Sequence, residues 1–116
     1  MSERVAGPEE RFTAIAEELL TLAGVTQTAS VYDARPGFGS SALKVGGRIF
    51  AMLVRGGLVV KLPSRRVEEL VAAGAGERFD PGHGRPMREW LAVAPSAAED
   101  WLALVHEARE FVAALA

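Results

Sequence analysis

Apolar positions recur along this chain with two periods, and the change of period marks the elements. From Pro8 onward Phe12, Ile15, Ala16, Leu19 and Leu22 or Ala23 fall at helical spacing, which predicts an amphipathic helix with one stripe to bury. Gly7-Pro8-Glu9-Glu10 suits its start, because proline fits the first helical position and acids there complement the helix dipole. Gly24 is the expected stop. The period then shortens. Ala42–Val45, Arg48–Val54 and Leu58–Leu62 are short apolar runs split by Gly46-Gly47 and Gly56-Gly57. Glycine pairs between such runs favour tight hairpin turns that need positive φ, so a three-stranded antiparallel meander is predicted.

Within the meander the middle run, Arg48-Ile49-Phe50-Ala51-Met52-Leu53-Val54, is apolar at consecutive positions and predicts a strand covered on both faces. Leu58, Val60 and Leu62 share one face of the third run, so Lys61 falls on the other, and Lys44 alternates with Leu43 and Val45 in the same way. Pro63 ends the sheet, and Ser64 is a candidate N-cap for a helix through Ala73, with Val67, Leu70 and Val71 inside. Phe79 to Pro86 carries proline and glycine at turn density and predicts a loop. Met87 to Ala94 predicts a fourth strand, with Trp90 opposite Leu91 and Val93. Ser96-Ala97-Ala98-Glu99 fits a capping box ahead of Trp101, Leu104, Val105, Ala108, Phe111 or Val112, and Leu115, a final helix. Val25 to Ser41 shows no clear pattern. The expected fold is α+β: helices on an antiparallel sheet of the meander plus at least one further strand, in the order α-βββ-α-β-α. One domain over residues 8–116 is expected, after a loose tail at 1–7.

Charge changes this picture more than composition does. The net formal charge is −2, but it is unevenly spread. Residues 1–34 hold two basic against six acidic side chains, residues 35–88 ten against four, and residues 89–116 one against five. Basic character is thus concentrated in the meander and the segment after it. The candidate phosphate contacts are Lys44, Arg48, Arg55, Lys61, Arg65, Arg66, Arg85 and Arg88, with Arg48 and Arg55 flanking the hairpin turns. The competing account is that edge cations block strand-to-strand aggregation and that Arg65-Arg66 is a solvated helix face.

Other chemistry finds little support in the residues. Cysteine is absent, so disulfides, thiolate metal sites and cysteine nucleophiles are excluded. The two histidines, His83 and His106, have no metal-ligand spacing, and no G-x-S-x-G elbow exists. Gly37-Phe38-Gly39-Ser40-Ser41-Ala42 has the form of a dinucleotide fingerprint, but it leads into a strand where the fingerprint must open a helix. No catalytic residue, cofactor or metal is expected, and the protein is read as a non-enzyme. No apolar run approaches a membrane span, and Met1 to Glu10 lacks the pattern of a signal peptide, so a cytoplasmic protein is expected.

Four motifs carry a resemblance. Gly46-Gly47 is followed by Arg48-Ile49-Phe50-Ala51; Leu58-Val59-Val60-Lys61-Leu62-Pro63 closes the meander; Phe79-Asp80-Pro81 and Met87-Arg88-Glu89-Trp90 come next. Together they resemble the MmcQ/YjbR-like proteins and the related TfoX N-terminal domain over about residues 8–114. That resemblance implies a small domain with a curved antiparallel sheet of the double-wing, DNA-binding kind, and TfoX relatives are linked to competence regulation. The chain departs from the TfoX pattern at Pro36-Gly37-Phe38-Gly39, where Met-Phe-Gly-Gly is expected. The function expected is weak or accessory DNA binding through a basic sheet and turn surface. The alternative is a protein–protein interaction adaptor that uses a sheet face or the acidic terminal helices. A small-molecule pocket near Trp90, Tyr32 and His83 is a third reading.

Overall fold

Both glycine-punctuated hairpins form in the computed structural model, which describes residues 7–28, 41–80, 84 and 86–115. Helix α1 (Pro8–Leu19) leads into strand β1 (Val25–Thr28). The meander comes next as β2 (Ala42–Val45), β3 (Arg48–Val54) and β4 (Gly57–Lys61). Helix α2 (Ser64–Ala72), β5 (Gly76–Arg78), β6 (Trp90–Val93), a 3-10 segment (Pro95–Asp100) and α3 (Trp101–Ala113) complete the chain. The strands form one antiparallel sheet in the order β1-β2-β3-β4-β6-β5. The α+β order read from the pattern is retained, with an additional edge strand on each side.

The turns are dictated by backbone sterics. Gly46 and Gly47 take φ of 59° and 79°, the paired positive values of a primed turn. At the second hairpin the two central residues are Arg55 (φ 51°) and Gly56 (φ 78°), not Gly56-Gly57. Gly57 instead pairs with Val54 as the first residue of β4. An arginine therefore occupies a left-handed position that glycine would take without strain.

The unbroken apolar run of β3 has two causes. Leu43 pairs with Ala51 and Lys44 with Ile49, so Phe50 is an extra residue in a bulge. Phe50 and Ala51 both join the larger core, beside Leu53, Leu58, Val60 and Leu91 under α1 and α3. On the opposite face, Met52 and Val54 join Ala42, Val59 and Phe79 in a second, smaller cluster. The strand is buried on both sides, as its pattern required.

Helix ends differ in detail from the expectations. α1 stops at Leu19 and winds through turns to Gly24, whose φ of 77° releases the chain into β1. Pro63 is the N-cap of α2 and Ser64 its first residue, with no side-chain cap bond. Proline's fixed φ fits the cap backbone, and proline has no side-chain acceptor to close the first turn. The far end of α2 closes as a Schellman motif: Ala75 N–H donates to Leu70 and Gly74 N–H to Val71, at 2.9 and 3.1 Å. α3 does not start after Ser96, where the capping box was expected, but at Trp101. A kinked 3-10 segment occupies Pro95–Asp100, and Asp100 caps the helix without a side-chain bond. The predicted strand from Met87 shortens to Trp90–Val93, because Met87 N–H donates to Phe79 O across the preceding loop.

Candidate nucleic-acid interface

Strand register sorts the candidate cations into two groups. Arg48 opens β3 and Arg55 comes just after its last residue, so they sit at opposite ends of a seven-residue strand, roughly 20 Å apart. Lys44 pairs with Ile49 at the Arg48 end. Lys61 closes β4 at that same end, opposite Trp90, and α2 begins there with Ser64 and Arg65. Arg88 lies in the turn that leads into Trp90. The fold thus brings Lys44, Arg48, Lys61, Arg65 and Arg88 to one end of the sheet and leaves Arg55 at the other. Arg85 lies outside the described residues.

Two adjoining clefts open at this basic end. One, of about 390 Å³, is lined by Lys61, Ser64, Met87, Arg88, Glu89 and Trp90. The other, of about 420 Å³, is lined by Ser64, Glu68, Arg78, Pro86 and Arg88. Ser64 and Arg88 border both. Lys61 extends over the indole of Trp90, its Nζ 5.6 Å from the ring centroid, and lies 4.0 Å from a Glu89 carboxylate oxygen. Arg78 pairs with Glu68 at 3.5 Å. Lys44, Arg48, Arg65 and Arg88 make no ion pair with a described residue. The N-terminus of α2 also begins at this end, and helix N-termini favour anions.

Arg66 is different. Its Nε donates to Glu107 Oε2 at 2.7 Å and its Nη2 to Oε1 at 3.3 Å, while Nη1 lies 3.4 Å from Glu69. The hydrogen bond to Glu107 is the main cause that holds its pKa above the ordinary arginine value, with desolvation acting against it. Its charge is already committed to joining α2 to α3, and it is not available to phosphate in the way Arg65 is. Arg78 and Met87 were not among the site residues expected from the sequence, and Trp90 was expected only beside Tyr32 and His83 in a small-molecule pocket. Trp90 was legible in part, since its alternation with Leu91 placed it on the face away from the main core. Arg78 sits in a three-residue strand with no apolar pattern to locate it.

Other chemistry is sparse among the described residues. No group of three or more histidine, aspartate or glutamate side chains is placed to hold a metal ion. His106 Nε2 and Glu18 Oε2 share a hydrogen bond of 2.6 Å that links α3 to α1, so this histidine is a half-exposed structural bridge. Tyr32, His83 and most of the Gly37–Ala42 stretch lie outside the described residues. No helix among those described is long and apolar enough to cross a membrane.

A family model described as the TfoX N-terminal domain matches residues 25–115. No curated protein and no solved structure matches the chain. The matched span takes in all six strands, α2 and α3, and with them both clefts of the basic end.

Proposed function

Since the chain belongs to the TfoX N-terminal domain family, we propose that it is a small non-enzymatic domain that binds DNA weakly, or as an accessory, through the basic end of its sheet. The observation that carries this reading is the gathering of Lys44, Arg48, Lys61, Arg65 and Arg88 around the start of α2, four of them without an acidic partner among the described residues. A cytoplasmic location and the MmcQ/YjbR-like assignment belong to the same proposal. Cations spread over turns and strand ends suit phosphates, which fix position but carry no sequence information. Binding of this kind is governed by counterion release. If all five cations engage duplex DNA, affinity should fall with a log–log salt slope of about −4.5. Raising salt from 50 to 200 mM would then weaken binding roughly 500-fold.

The test is fluorescence anisotropy of labelled duplex and single-stranded DNA at both salt concentrations. Arg48→Glu/Arg88→Glu should abolish binding, while Arg55→Glu, at the far end of β3, should leave most of it. Absence of binding at low salt, or equal losses from the two ends of the sheet, would overturn the reading.

A further inference from the structure

The opposite end of the molecule carries a second surface with the reverse chemistry. Arg11 lies over the ring of Trp101, 5.4 Å from its centroid, and two turns further along Glu18 meets His106. These contacts show that α1 and α3 pack side by side in the same direction. Their N-termini therefore share one end, and register fixes which: β6 runs antiparallel to β4, so Val93 exits near the Arg55 turn, where Pro8 also approaches Gly56. Between the two helix starts is a groove of about 530 Å³ lined by Glu10, Arg11, Ala14, Ile15, Glu99, Trp101 and Leu102.

The floor of this groove is apolar: Ile15 and Trp101 are buried, and Leu102 is 38% exposed, one of three large hydrophobic side chains left open among the described residues. Glu10 and Glu99 stand in the lining without an ion-pair partner among the described residues, with Glu9 and Asp100 in the same turns. Arg11, the one cation of the lining, is drawn onto the indole. We propose that this groove docks a cationic amphipathic helix of a protein partner, with a leucine-like side chain on Leu102 and Trp101 and lysine or arginine against Glu10 and Glu99. A helix laid in an apolar groove is anchored at i, i+3 or i+4 positions. Charge complementarity at the rim selects the sign of its flanks. An acidic strand or an anionic surface is disfavoured by the same carboxylates.

The test uses the full chain and a labelled amphipathic helix of leucine and lysine, about 14 residues or roughly 21 Å long. A leucine–glutamate peptide of the same pattern is the control. Anisotropy should show the lysine peptide binding and the glutamate peptide not. Leu102→Asp should weaken binding at least about tenfold, as should Glu10→Gln/Glu99→Gln. Leu20→Asp, an equally exposed leucine outside the groove, should leave it unchanged. In NMR titrations the indole N–H signal of Trp101 should shift while that of Trp90 stays. No binding of the lysine peptide, equal binding of both peptides, equal losses in Leu102→Asp and Leu20→Asp, or a shift at Trp90 alone would each overturn the proposal.

Discussion

Changing Arg66 to Met and Glu107 to Gln, singly and together, isolates the contact that holds α2 against α3. The two replacements keep most of the side-chain volume, and methionine retains the apolar stem that arginine lays on the helix. The contact is two-pronged, at 2.7 and 3.3 Å, which favours it over a single point contact. Solvent acts the other way. The Arg66 and Glu107 side chains are 39% and 36% exposed, so most of the Coulomb attraction available in a dry interior is screened. Exposed pairs measure roughly 0.2–1 kcal/mol, and the paired geometry places this one near the top of that range. A coupling energy of about 1 kcal/mol is expected, worth about 4 °C in Tm for a domain of this size.

Urea unfolding followed by circular dichroism gives the four stabilities of the cycle. Coupling should shrink in high salt, because surface pairs are screened. The same variants separate structure from function. Arg66→Met should leave the salt slope of DNA binding unchanged, whereas Arg88→Ala should lower its magnitude by about 1. A coupling below about 0.3 kcal/mol, or an Arg66→Met variant that loses a full phosphate contact, would refute the assignment of Arg66 as a clamp.

Two glycines supply further predictions that rest on different physics. Gly47 has φ of 79° and open space around the position of a Cβ, so Gly47→Ala should cost about 1 kcal/mol from backbone strain alone, with Gly47→Asn costing less; urea midpoints at constant m-value check this. Gly76 has no such φ, but a Cβ there would run into the carbonyl oxygen of Ala92 on the neighbouring strand. Gly76→Ala should therefore push β5 off the sheet edge at a cost of about 1–3 kcal/mol. Hydrogen exchange should show lost protection at Glu77 and Arg78 with β3 and β4 still protected.

What could be read from the sequence depended on where each segment buries its side chains. The meander was legible because glycine pairs stand between apolar runs, and even the bulge left a trace in the consecutive Phe50 and Ala51. α1 and α3 were legible because each buries a full stripe. β1 was not. Of Val25, Thr26, Gln27 and Thr28 only Val25 is buried, since an edge strand needs one anchored side chain and can leave the rest to solvent. β5 is shorter still, and Gly76, Glu77 and Arg78 carry no alternation. Its place is set by backbone: Ala94 N–H donates to Ala75 O at 2.8 Å, and Gly76 lets two main chains approach. Neither device leaves a pattern in residue types.

The candidate interface divides along the same line. Segment charge was visible, but it mixes cations with opposite fates. Arg65 and Arg66 are adjacent in sequence and point to different neighbourhoods because successive helical residues are about 100° apart. Arg65 is exposed with no ion-pair partner among the described residues, and Arg66 meets a carboxylate 41 residues away. Arg48 and Arg55 look equivalent as flanks of hairpin turns, yet antiparallel geometry must place the two turns of a meander at opposite ends of the shared strand. At 0.1 M salt the Debye length is about 10 Å, so the roughly 20 Å between them makes their electrostatic fields nearly independent. The acidic first turn of α1 and the acidic end of the 3-10 segment before α3 are brought together by parallel packing in the opposite way, from segments nearly 90 residues apart. A chain of net charge −2 thereby presents a basic end and an acidic groove together. If both proposed surfaces act, that separation would keep the charge of a polyanion at one end from cancelling that of a cationic helix at the other.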